Sequence, residues 1–330
     1  MRTGDIGERD FLKSIQHLVG EIDGAKLGFD EDASDIPLTG DKSIVVNVDT
    51  FTAKTDWLPG MTEAQVGRKT AIMALSDIVA KGATPVATML SLCVPNDYDV
   101  NASQELIRGY SQYCFKSGIP FIGGDLGSSS EVVLTGVAIG IAAPETIVTR
   151  SGTNEGDIIA VTDLFGLTSV AFEILINNLN AEGDLRDNAL SAAYKPKIHF
   201  GFVSSLARNG AITASMDSSD GLGITLHTMA NSSSFRFVID NLPVAKGVER
   251  FAINNLLDTK KLVMQGGEEF IIVLSVPADR WDDAMDVAQK QHVALRAIGT
   301  AKTGSGVCYE SPKGLFEIPP AGYDNFKEWD

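Results

Sequence analysis

The segment AIMALSDIVAKGA, residues 71–83, places a carboxylate in the middle of an otherwise apolar run. Val66, Thr70, Met73, Ala74 and Ile78 recur at helical spacing, which predicts a helix over 63–81 stopped by Gly82. An unpaired buried charge is costly, so the chain must fold in a way that gives Asp77 a partner or turns it into a cleft. Both a ligand role and an internal salt bridge satisfy that condition. The apolar stretch continues to Val94, but Asp77, Lys81, Gly82 and Pro85 interrupt it too soon for a bilayer span.

Around this helix, strands and helices alternate. Strands are expected at 43–48, 85–94, 119–122 (halted by Gly123-Gly124-Asp125) and 131–142, with a helix over 102–117. The polar, glycine-containing stretch 150–157 reads as a domain junction. Beyond it, strands are expected at 158–162, 211–216, 235–239, 269–276 and 293–298, and helices at 168–177, 199–207 and 277–289. Mixed elements in both halves of a 330-residue chain indicate an α/β fold of the α+β type, with two domains of mixed sheets flanked by helices.

Lys plus Arg number 27 against 43 Asp plus Glu, a formal charge of −16. That excludes a general nucleic-acid binder, which needs a basic stripe, but not a phosphate ligand bridged by divalent cations. Cys93, Cys114 and Cys308 form neither a metal motif nor an even disulfide set, and the amino terminus MRTGDIGERDFLKSI lacks an apolar signal core. A cytoplasmic protein without membrane attachment is expected.

Familiar cofactor motifs are absent. Gly299 to Ser305 lacks the lysine of a Walker loop, no GxGxxG follows a strand, and His17, His199, His227 and His292 have no zinc spacing. What recurs instead is aspartate at strand ends or inside helices: Asp32, Asp49, Asp77, Asp125, Asp217 and Asp220. Several such groups converging on a polyphosphate would suit magnesium, which prefers oxygen ligands. Each also has a plainer reading. Asp217-Ser-Ser-Asp220-Gly221 can be a helix amino-terminal cap as well as a metal or anion site, and Gly123-Gly124-Asp125 can be a turn as well as a phosphate approach.

Taken in order, VDT (48–50), SDIVAKGATP (76–85), GGD (123–125), TRSGTNEGD (149–157), DSSDGL (217–222), GGEEF (266–270) and GYDNF (322–326) resemble the thiamine-monophosphate kinases, members of the aminoimidazole ribonucleotide synthetase-like superfamily. The resemblance runs over nearly the whole chain. It implies an amino-terminal ATP-binding and dimerisation αβ domain over 1–145, a carboxy-terminal αβ domain over 146–330, and a homodimer. It implies ATP-dependent conversion of thiamine monophosphate to thiamine diphosphate by direct in-line transfer with magnesium. Asp32, Asp49, Asp77, Asp125, Asp217 and Asp220 would then serve the metal ions. Gly124, Asp125, Arg150 and Ser219 would contact the nucleotide, with Arg150 and Asp217 central to catalysis. Glu268 and Tyr323 would hold the thiamine end, in a substrate loop shaped by Asp56.

Several positions depart from the family pattern. Glu31 stands as the first carboxylate of a usual aspartate pair, Asn47-Val48 replaces a hydroxyl-bearing pair, Asp56 replaces a histidine, and Ile271 replaces a carboxylate. Two alternatives follow: another ATP-using member of the superfamily with a different acceptor, or a non-catalytic nucleotide-binding protein.

Overall fold

The computed structural model describes residues 2–324 and 326. Asn325 of the GYDNF motif lies outside the described residues. Two short helices, α1 (Thr3–Ile6) and α2 (Glu8–Ile15), open the chain. The first half then builds β1 (Ser34–Leu38), β2 (Lys42–Thr52), α3 (Ala53–Asp56), α4 (Glu63–Ala80), β3 (Thr84–Val94), α5 (Val100–Lys116), β4 (Phe121–Ser128) and β5 (Val133–Ala142). The five strands form one sheet in the order β1-β2-β5-β3-β4, antiparallel except for the parallel pair β3 and β4.

Helix α4 is defined at both ends by its own sequence. Thr62 accepts the Gln65 N–H while the Gln65 side chain accepts the Thr62 N–H, and the chain leaves the helix through Gly82 at φ +75°. It buries Val66, Ala71, Ile72, Leu75 and Ile78 and crosses α5 at very short range. A Cβ on Gly67 would lie 1.8 Å from the Leu106 carbonyl oxygen, and one on Gly109 would lie 2.0 Å from that of Ala64. Because both obstacles are backbone, Gly109→Ala is expected to cost about 3 kcal/mol by overpacking, measured as a lowered urea midpoint with unchanged slope.

The second half carries β6 (Ile158–Val161), α6 (Leu167–Leu175), α7 (Asp184–Tyr194), α8 (Phe202–Arg208), β7 (Ala214–Ser218), α9 (Leu222–Ser233), β8 (Arg236–Ile239), α10 (Val248–Asn254), α11 (Thr259–Gln265), β9 (Ile271–Val276), α12 (Trp281–Gln291), β10 (Arg296–Lys302), β11 (Val307–Ser311) and β12 (Gly314–Glu317). Its seven-stranded sheet has the order β12-β11-β8-β10-β6-β9-β7. Apolar packing is continuous across the two halves: Phe51, Val66, Leu106 and Leu134 of the first share a cluster with Val170, Ala189, Val248 and Leu262 of the second.

Three expectations change. Strand β4 does not halt at Gly123-Gly124-Asp125 but runs through it, because Gly124 lies against β3 where a Cβ would come 1.7 Å from the Leu90 carbonyl oxygen. Strand β7 extends to Ser218 and so includes Asp217. The cap reading of Asp217 to Gly221 also falls, since α9 is capped by Gly221 with no side-chain hydrogen bond. No helix among the described residues is long and apolar enough to cross a membrane.

Candidate active site

Asp77 sits near the end of α4, Asp217 at the end of β7, and Asp32 in the loop before β1. Each offers one carboxylate oxygen, and the three oxygens lie within 4.8 Å of one another. The Ser76 hydroxyl donates to Asp217 Oδ2 at 2.5 Å, tying the two halves together beside the group. Asn47 on β2 donates through Nδ2 to Asp77 and, at 3.1 Å, to the Asp32 carbonyl oxygen. Its own Oδ1 is buried and has no hydrogen-bond partner among the described residues.

Crowding of like charges sets the electrostatics. Burial, then Asp217, Asp32 and Asp49, push the Asp77 carboxyl well above its usual range. Burial and Asp32 raise Asp217 to about 6. Asp49 is raised to about 7 by burial and by Asp217, Asp56 and Glu8. Asp220, also raised to about 7 by burial, is opposed by Arg9, whose guanidinium lies 3.1 Å away. Asp32 is the exception: burial alone would raise it, but Lys81 and Arg150 together hold it below its usual value.

Lys81, whose side chain is wholly buried, pairs with Glu31 and, at 2.9 Å, with Asp32 Oδ2. Arg150 pairs through Nη2 with Asp32 Oδ1, and its backbone N–H donates to Glu31 at 3.0 Å. Even so, hard oxygen donors from Asp32, Asp77 and Asp217 dominate the centre. That donor chemistry fits a hard divalent cation.

A second constellation adjoins the first. Glu268 has φ +61°, and its N–H donates to the Ser219 carbonyl oxygen at 2.6 Å, which joins the GGEEF segment to the DSSDGL turn. Its carboxylate pairs with the fully buried Lys69, which also donates to the Asp56 carbonyl oxygen at 3.2 Å. Burial raises Glu268 and Lys69 opposes that rise. Asp56 accepts the Thr52 N–H at 2.7 Å, and the Tyr323 N–H donates to the Asp220 carbonyl oxygen at 2.9 Å. Beside this group, Glu269 is buried against Gly166 and Thr168 at the start of α6, and burial raises it to about 8.

The fold thus brings together Asp32, Asp77 and Asp217, rings them with Asp49, Asp220 and Arg150, and places Ser219, Asp56, Glu268 and Tyr323 alongside. Gly124 and Asp125 stand apart, on the solvent-exposed strand β4 at the sheet edge. Nothing local in the sequence marks Lys69, Ser76 or Arg9 as site residues, and Lys81 reads there only as an interruption of the apolar stretch. Lys81 closes the apolar segment that drew attention to Asp77, so the same argument about buried charge would have found it.

The raised carboxyls have a consequence for stability. Asp49, Asp217 and Asp220 bind protons more tightly folded than unfolded, so between the ordinary value of 3.8 and about 7 the native state holds more protons. Stability from these groups is therefore greatest at low pH and is lost as pH rises toward 7. The metal-free protein should show its Tm falling over this interval, and excess divalent cation should flatten the fall.

Two mixed sheets joined along a seam of clustered carboxylates define a protein of the AIR synthase-related class. Residues 30–142 match the family described as AIR synthase related protein, N-terminal domain, and residues 154–308 match its C-terminal domain. The thiamine-monophosphate kinase of Nitrosopumilus maritimus is 30% identical over 87% of this chain and 90% of its own length. This chain belongs to the thiamine-monophosphate kinase family. Among solved structures, AaThiL complexed with AMPPCP and TMP has a TM-score of 0.84 at 20% identity, over 98% of this chain and 99% of its own. The tt0281 protein of Thermus thermophilus has a TM-score of 0.82 at 27% identity, over 93% and 97%.

Proposed function

We propose that this protein transfers the terminal phosphoryl group of ATP directly to the phosphate of thiamine monophosphate, giving thiamine diphosphate and ADP. A phosphate oxygen of the acceptor forms the new P–O bond as the bond to the ADP oxygen breaks in line. The acceptor oxygen is ionised near neutral pH, so no protein base is assigned. The observation that carries the reading is the convergence of Asp32, Asp77 and Asp217 at the seam between the halves, in a chain of this family.

Asp32, Asp77 and Asp217 would hold magnesium, with Asp49 and Asp220 flanking. Bound there, the metal supplies cancellation of phosphate charge, the main requirement of phosphoryl transfer. Arg150 keeps Asp32 ionised and in place through its paired guanidinium. Ser219 belongs to the nucleotide side; Gly124 and Asp125, exposed on β4, would join it only where a second copy covers that strand. Glu268, held by Lys69, and Tyr323 flank the thiamine end, where Asp56 orders the loop through its bond to Thr52.

We place the domain boundary at 145/146, between β5 and β6. The three cysteines are free, which suits a reducing cytoplasm.

The first sheet supports a homodimer. Its α4-facing side is buried, while the opposite side leaves Val48 62% exposed, with Val137 paired in register to both Val48 and Met89. Asp125, in register with Ser91, lies on the strand bordering that face. A second copy packed there would bring Asp125 and Gly124 under cover. Val137→Glu should halve the mass seen by sedimentation equilibrium; an unchanged mass would remove this face from the interface.

Phosphorus NMR of the protein with ATP, magnesium and thiamine monophosphate tests the activity. ADP and thiamine diphosphate should appear together. Bound ATP with unchanged thiamine monophosphate would overturn the acceptor assignment.

A further inference from the structure

The carboxylate site already contains a cation of its own. Glu31 and Asp32 are adjacent in sequence, and their side chains converge on one point, a pair that would otherwise suit a divalent ion. That point is filled by the Lys81 ammonium group, 2.9 Å from Asp32 Oδ2 and paired with Glu31 Oε2. The lysine is anchored just beyond α4 and its side chain is 0% exposed, so it cannot swing out into water without opening the core. Arg150 takes the other Asp32 oxygen, so both oxygens of that ligand already face a positive charge.

Lys81 and Arg150 offset the charges of Glu31 and Asp32, whereas Asp77 and Asp217 have no paired cation among the described residues. Asp77 and Asp217 each accept from a neutral donor, Asn47 and Ser76, rather than from a cation.

We propose that Lys81 is a resident cation of this site, occupying the Glu31–Asp32 side in place of a divalent ion and weakening metal binding by the free protein. A metal ion then binds chiefly through Asp77 and Asp217, and its full retention depends on the phosphates of the substrates. This rests on the reading of the three carboxylates as a metal site.

Manganese binding to the nucleotide-free protein, followed by the paramagnetic resonance signal of the unbound ion, separates the two claims. Lys81→Met should bind manganese at least about tenfold more tightly than the natural protein, because a positive charge beside the ligands is gone. Glu31→Gln should bind it more weakly. A purely structural ion pair would be lost in both variants and would move both affinities the same way, which would overturn the proposal. If Lys81→Met does not fold, the double variant E31Q/K81M, which leaves no unpaired partner, carries the test. It should bind manganese more tightly than Glu31→Gln alone, and equal affinity would overturn the proposal. If no form binds manganese, with or without ATP, the metal site itself is refuted and this inference falls with it.

Discussion

Asp77→Asn is expected to lower kcat by about a thousandfold while the metal-free protein melts at a higher temperature than the natural one. The two effects have one cause. Asp77 sits in a cluster where burial, then Asp217, Asp32 and Asp49, all oppose its ionisation. The amide is nearly isosteric, removes that repulsion, and so relieves the folded state. The substitution also replaces one of three clustered carboxylates by a neutral amide, and so removes ligand charge that phosphoryl transfer needs. Phosphorus NMR and thermal melting in chelator measure the two arms. Loss of both activity and stability would identify Asp77 as a structural partner, the alternative its sequence context left open.

Lys69→Met should cost about 3–5 kcal/mol of stability, because it strands the Glu268 carboxylate where burial already disfavours its charge. Lys69 is fully buried, and its ammonium group also holds the Asp56 carbonyl oxygen at 3.2 Å. Both constituents of the thiamine end would therefore loosen, and KM for thiamine monophosphate should rise more than KM for ATP. Adding Glu268→Gln should recover most of the stability, since the buried amide has no charge to compensate. It should not recover KM for thiamine monophosphate. Urea unfolding of the four proteins of the cycle, with KM values from the same preparations, gives the result; a uniform rise in both KM values would place Lys69 outside the acceptor side.

What is legible in the residues follows the range of the forces involved. Helix α4 is legible because its apolar spacing and its terminal glycine are both local. The interruption at Asp77 is legible for the same reason, since a carboxylate in an apolar helix is an anomaly wherever the chain later goes. Strand β4 departs from expectation at Gly123-Gly124-Asp125 because glycine favours turns locally, whereas here it serves a backbone approach to β3 that only pairing creates. The short elements α10, α11 and β12 have no periodic pattern long enough to distinguish from loop.

Local pattern and composition are thus enough for the mixed αβ class, the central helix, the acidic residues of interest and the family they resemble. Which of those carboxylates meet is set by packing between distant segments. Asp32, Asp77 and Asp217 are joined by the packing of α4 against β2 and β7, while Asp125 is left on an exposed edge. The same packing buries Lys69 and Lys81, ordinary surface residues by composition, against Glu268 and Asp32. Charge pairing at short range depends on distances between segments far apart in the chain, and those distances are set by packing rather than by any local preference.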